Sequence, residues 1–175
     1  MSETLLEAGA TMKFGTISAV DEKTGMVRVR LPDFDNMRTA WMHVLQSRTQ
    51  DDKHYDLFDL GEQVVVLLDA RGEDGVVLGA IYSSADTPPV TDANKYHRRF
   101  KDGSWVEYDR ATHAMKCHSV GTVIIEAAEL ATIKAPSVIL DADTVTCTNK
   151  LHAKGDITSE GKILDTTGNS NHHSH

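Results

Sequence analysis

Three imidazoles crowd one end of the chain, in Asn171–His172–His173–Ser174–His175. In an extended strand, residues i and i+2 point to the same side. His173 and His175 would then present two rings together, with His172 facing away. Two imidazoles from one chain are too few for a firm metal site. A threefold axis through this end would gather six nitrogens, a set that suits an octahedral first-row ion such as iron(II) or nickel(II) better than four-coordinate structural zinc. The residues alone leave bland readings open. Chain ends are commonly frayed and polar, and a purification tag is a further reading, although the run is not pure histidine. A helical metal site would need i, i+4 spacing, which is missing. The remaining histidines, His43, His54, His97, His113, His118 and His152, are scattered and read as surface or core residues.

Enzyme signatures are missing elsewhere. The chain has no Gly-X-Ser-X-Gly elbow, no His-Glu-X-X-His and no phosphate-cradling glycine loop. No catalytic residue and no organic cofactor site is expected. The carboxylate pairs Asp51/Asp52 and Glu73/Asp74 fall in turn-like segments and read as solvated surface. Cys117 and Cys147 are too few for a disulfide framework and read as small buried apolar residues. The longest aliphatic run, residues 64–68, is far too short to span a bilayer. With no basic-then-apolar leader, assembly in a cytoplasm is expected. Net charge is −8, and residues 1–97 hold 16 acidic against nine basic side chains. An acidic first half repels phosphate backbones, so nucleic acid is not an expected partner.

The elements that would position the terminal histidines fall into two kinds. All ten Phe, Trp and Tyr lie at or before Tyr108. In that first part, residues 13–20 (KFGTISAV), 26–31 (MVRVRL), 40–45 (AWMHVL), 63–68 (QVVVLL) and 76–82 (VVLGAIY) read as strands. The polar stretch 50–60 could hold a short helix. Five strands in so short a span fit a small Greek-key barrel of the OB type, with an SH3-like barrel as the competing assignment. Two prolines in 86–91 (DTPPVT) mark a linker. A hairpin-like stretch follows at 103–109 (GSWVEYD).

Beyond it the chain repeats. Apolar positions recur at Val138, Val145, Leu151, Ile157 and Ile163, in steps of 7, 6, 6 and 6, and a small or apolar residue often follows two positions later, as at Leu140, Cys147, Ala153 and Ser159. Short strand–turn periods of this kind signal a β-helix or solenoid. Each strand is too short to bury its apolar face alone, so stacking must supply the core. A plain antiparallel meander is the bland alternative, but steps of six leave little room for hairpin strands of ordinary length.

In this order of parts the chain resembles the baseplate assembly protein V family, the central tail spikes of contractile-tailed phages and R-type bacteriocins. The residues that carry the resemblance are 15–20 with 25–31 (GTISAV, GMVRVRL), 61–69 (GEQVVVLLD), 76–83 (VVLGAIYS), 86–89, 103–109, 155–165 (GDITSEGKILD) and the final HHSH. The resemblance implies an all-β homotrimer: an N-terminal OB-fold barrel, then an intertwined triple-stranded β-helix with a pointed, metal-bound tip. It implies one iron ion per trimer, octahedral, held by His173 and His175 of each chain. It gives no ligand role to His172. The expected divisions are 1–90 for the OB-fold, 91–120 for the linker and lead-in to the shaft, 121–165 for the shaft and 166–175 for the apex.

The function the resemblance implies is mechanical: a spike on the baseplate hub of a virion tail that pierces the target outer membrane on contraction, touching that membrane only transiently. Two other classes share features. A hexapeptide-type trimeric acyltransferase would share the six-residue period but needs more turns and no barrel. An OB-fold nucleic-acid binder would share the barrel but needs a basic, aromatic-lined groove.

Overall fold

The computed structural model describes residues 9–72 and 74–163. By contacts the chain divides into two units, Met1–Val123 and Ile124–His175.

The first unit opens with β1 (Thr11–Asp21), β2 (Met26–Leu31), β3 (Met37–Arg38), β4 (Met42–Val44), β5 (Gln63–Leu68) and β6 (Gly75–Ala80). Five of these close into a barrel. β1 pairs antiparallel with both β5 and β2, β5 with β6, β6 in parallel with β4, and β4 with β2, which returns to β1. The short β3 extends β2 at residues 37–38. The parallel β4–β6 contact comes from strands far apart in sequence, and with the closed ring it makes the barrel OB-like.

One strand serves two neighbours because it bends. Residues 11–16 of β1 pair with β5, and residues 16–21 pair with β2 across a register shift between Ile17 and Ala19. At the bend Gly15 lies tight against the neighbouring strand β2, where a Cβ would collide with Val29 and the Arg30 backbone oxygen. Alternation then fills the interior. Val27, Val29 and Leu31 from β2, Val64, Val66 and Leu68 from β5, Met42 and Val44 from β4, Ile17 and Val77 are all buried. No aromatic ring is among them; Phe58 packs only partly against this core. Buried Thr39 ties the wall together: its hydroxyl oxygen accepts from the Val29 amide at 3.0 Å and its hydroxyl donates to the Ala40 carbonyl at 2.8 Å.

The expected short helix at residues 50–60 does not form. That segment runs as irregular chain with one isolated bridge, Thr49 to Lys53, and Leu57 and Phe58 reach back onto the barrel core. Tertiary contact with the barrel replaces the local hydrogen bonds a helix would have needed.

After the Pro-Pro segment a second sheet forms in the same unit. β7 (Lys95–Arg99), β8 (Trp105–Asp109) and β9 (Ala114–His118) pair antiparallel in sequence order. Tight turns join them, with Gly103 at φ 93° and His113 at φ 56° in the left-handed region.

The second unit contains no paired strand among its described residues, 124–163. Its aliphatic side chains are exposed throughout, Ile125 at 84%, Ile139 at 85% and Leu151 at 79% among them.

Candidate functional site

The proposed ligands His173 and His175, and His172 beside them, lie outside the described residues. Among the described residues no group of three or more His, Cys, Asp or Glu is placed to hold a metal ion. The carboxylates expected to be solvated are so where described: Asp52 makes only an exposed i, i+4 pair with Arg48 at 3.4 Å, and Asp74 sits in the β5–β6 turn.

The second sheet carries two unlike faces, set by strand register. Lys95 lies opposite Asp109, which lies opposite Ala114; next come His97, Glu107 and Lys116; then Arg99, Trp105 and His118. These rows share one face, and they engage one another. Glu107 is buried and accepts from Lys95 Nζ at 3.0 Å, with His97 Nδ1 3.0 Å from its other oxygen. The Lys95 hydrogen bond, and after it that of His97, holds the Glu107 carboxyl below its ordinary range against the opposing effect of burial; the same carboxylate raises the Lys95 ammonium. Trp105 stacks between His97 and His118, each ring centroid 5.9 Å away. Sequence reasoning treated His97 and His118 as scattered. The i, i+2 alternation in KYHRR and WVEYD was the available signal, but it names a partner only once the register is known.

The opposite face holds Tyr96, Tyr108 and Met115 in one row and Arg98, Val106 and Cys117 in the next. Tyr96 is 68% and Met115 76% exposed. Cys117 was expected to be buried and is exposed in the single chain, as is Cys147. Among the described residues neither is covered: Cys117 stands on an exposed sheet face and Cys147 in a segment without paired strands.

Ion pairs link this sheet to the barrel. Arg98 reaches Asp56 at 2.8 Å, and Lys101 stands 4.0 Å from Asp59. Nearby, Asp59, Glu62 and Asp86 line a cleft of about 550 Å³ with Leu60, Ile81 and Tyr82. Burial pushes the Glu62 carboxyl up, and the neighbouring carboxylates Asp59, Asp56 and Asp86 add to it, opposed by the Asp59 amide.

The third feature is the aliphatic series of residues 124–163. Val138, Val145, Leu151, Ile157 and Ile163, the positions of the sequence repeat, are all more than half exposed.

A closed barrel, a small sheet and a bare aliphatic repeat, in that order, frame the comparison with known proteins. Residues 14–82 match the family described as the type VI secretion system/phage-baseplate injector OB domain. Over these residues the barrel is similar to that injector domain. The spike protein of Escherichia phage P2 is 28% identical over 182 aligned positions, which take in 89% of this chain and 85% of that protein. The likeness therefore runs well past the barrel into the aromatic-free repeat, where the barrel family alone makes no statement. It bears out the resemblance carried by GTISAV, GMVRVRL, GEQVVVLLD and VVLGAIYS, all of which lie inside or at the edge of the matched barrel.

Proposed function

We propose that this chain is the central spike of a contractile injection tail, a homotrimer whose barrel sits on the baseplate hub and whose shaft is driven through the target outer membrane. The observation that carries the reading is the aliphatic repeat: Val138, Val145, Leu151, Ile157 and Ile163 recur at steps of six or seven, and nothing within the described residues covers them. The whole chain exposes 15859 Å². A compact folded monomer of 19.2 kDa exposes roughly 8,400 Å². Such an excess of surface, much of it aliphatic, is what a chain has when its core is built with other copies of itself.

The mechanics follow from that packing. An intertwined β-helix leaves no free lateral edge, so it resists fraying and edge-to-edge association. Aliphatic residues turned to a shared axis leave polar Asp, Asn, Lys and Thr outside, a surface that passes a bilayer without remaining in it. At the tip, His173 and His175 of three chains offer six imidazole nitrogens to one iron ion. The ion would tie three chain ends together where a solenoid otherwise frays, and because its ligands come from three chains it favours correct register. This chain's part is to supply neutral imidazoles, so acidification below the free histidine pKa of about 6.5 weakens the site.

Sedimentation of the untagged protein tests the assembly. One species near three times 19.2 kDa is expected. A stable, folded monomer at micromolar concentration would overturn the spike reading, since it would show that the repeat needs no partner.

A further inference from the structure

One outer wall of the barrel carries a cationic patch that the rest of the described chain does not neutralise. Alternation along β2 sends Val27, Val29 and Leu31 inward, so Arg28 and Arg30 face out. Arg38 of β3 lies directly opposite Arg30 and shares that face. Trp41, 39% exposed, stands beside them, with the Arg28 guanidinium 4.9 Å from its ring centroid. Among the described residues none of the three arginines forms an ion pair. Asp33 and Asp35, in the turn from β2 to β3, leave them unpaired as well. Two of the three are nevertheless held in place. Arg38 donates from Nε to the Ser18 hydroxyl and from a terminal nitrogen to the Ser18 carbonyl, both at 3.0 Å. The Ser18 hydroxyl in turn donates to the Arg28 carbonyl at 3.1 Å. Arg28 Nε is buried and meets no acceptor among the described residues. Like charges directly opposite one another destabilise a strand pair, so the Arg30–Arg38 pairing works against the fold that displays it.

We propose that this arginine–tryptophan wall is the surface by which the barrel engages a carboxylate-bearing face of the baseplate hub. The inference rests on the spike reading above and adds which wall of the barrel meets the hub and by what chemistry. Charge complementarity names the occupant. Residues 1–97 hold 16 acidic against nine basic side chains, so three unpaired arginines on one wall run against the charge of the part that bears them. The same wall of a second copy would set arginine against arginine. A nucleic acid or an anionic membrane would meet the patch but extend past it, onto a part with an excess of carboxylates. A protein face can confine its carboxylates to the patch. Guanidinium groups suit that partner, since each planar fork can donate two parallel N–H bonds to one carboxylate. A fork fixed by Ser18, or stacked on Trp41, loses less freedom on binding than a free side chain does. Arginine and tryptophan are also among the residues that carry most of the binding energy at protein interfaces.

The test uses the full chain and the purified hub protein of the same tail, with affinity measured by titration calorimetry at low and high salt. Arg30 is exposed, so Arg30→Glu should fold. Its urea midpoint should match or exceed that of the wild type, because glutamate opposite Arg38 replaces a like-charge pair with an opposite one. Its affinity for the hub should fall by at least about 30-fold. Trp41→Ala, which releases the Arg28 guanidinium from its ring, should weaken binding about 10-fold. Arg71→Glu makes the same charge change in the β5–β6 turn and should stay within about threefold of the wild type. Added salt should weaken the wild-type complex and leave the residual affinity of Arg30→Glu nearly unchanged. Wild-type affinity in Arg30→Glu overturns the proposal and leaves the spike reading standing. An equal loss in Arg71→Glu does the same, since it would reduce the effect to net charge. A wild-type chain with no affinity for the hub overturns both. Tighter binding of the wild type to a single-stranded oligonucleotide or to phosphatidylserine vesicles than to the hub, lost in Arg30→Glu, overturns the hub as the occupant of this wall.

Discussion

Barrel and repeat are built from much the same aliphatic residues, yet one hides them and the other does not. Val66 is fully buried and Leu151 is 79% exposed. The barrel strands β2 and β5 are six residues long, and every second side chain turns inward onto a ring of strands that closes within one chain. From Val138 to Ile163 the repeated apolar positions come in steps of six or seven, with no described strand beside them to complete a sheet. Hydrophobic content does not say whether a segment folds alone; closure of the hydrogen-bonded ring within the chain does.

The contrast breaks most readily by putting a charge in each region. Val66→Asp should destabilise the barrel by more than about 4 kcal/mol, at every protein concentration, because it buries an unpaired carboxylate. Leu151→Asp should leave the barrel's unfolding unchanged and act only on assembly. Urea unfolding followed by circular dichroism at several concentrations separates the two. A concentration-independent loss in Leu151→Asp would mean that the repeat has a core of its own.

The tip offers the next largest effect. On the spike reading, changing both His173 and His175 to Ala should take bound metal from one ion per three chains to none and leave the sedimenting mass unchanged. Elemental analysis beside sedimentation reads both quantities. Metal retained in full would remove these residues from the site.

Within the barrel, Thr39→Val keeps the shape and removes the acceptor for the buried Val29 amide. A loss of about 1–3 kcal/mol is expected from the amide left unpaired, read as a shift in the urea midpoint. The barrel is thus sensitive to a single oxygen, a sensitivity the exposed repeat should not share.

On the polar face of the second sheet, pH does similar work. Glu107 binds its proton less readily in the folded chain than at its ordinary value of 4.5. Its contribution is therefore present above that value and lost as pH falls through the lower, folded value. Acid titration of Trp105 fluorescence should show loosening of the sheet below pH 4.5, and Glu107→Gln should abolish that step. The smallest effect is expected at the exposed Arg48–Asp52 pair, where Asp52→Asn should change stability by less than about 0.5 kcal/mol.

Much of the barrel was legible in the sequence because β-strands write their burial with a period of two. MVRVRL and QVVVLL became β2 and β5 at the expected residues, and AWMHVL narrowed to Met42–Val44. The choice of OB-like over SH3-like closure was not legible, since it rests on the parallel pairing of β4 with β6 across some thirty residues of irregular chain and β5. Nor was the fate of residues 50–60, where Leu57 and Phe58 answer to the barrel wall instead of a local helix. The aromatic residues marked where the first part ends, but not for their usual reason. The buried interior of the five-stranded barrel is wholly aliphatic apart from Met42. Val, Ile, Leu and Met take the interior, and Phe14, Phe34, Trp41 and Tyr55 stand outside.

The sequence by itself determined where apolar residues recur, at two-residue alternation before Tyr108 and at steps near six after Val138. Those are properties of neighbours along the chain. Tertiary structure alone decided which of those faces find cover. Register across β7, β8 and β9 put Glu107 between Lys95 and His97 and left Tyr96, Tyr108 and Met115 bare. Alternation says that two faces differ, but only the pairing of distant strands fixes which side chains become neighbours, and burial depends on neighbours.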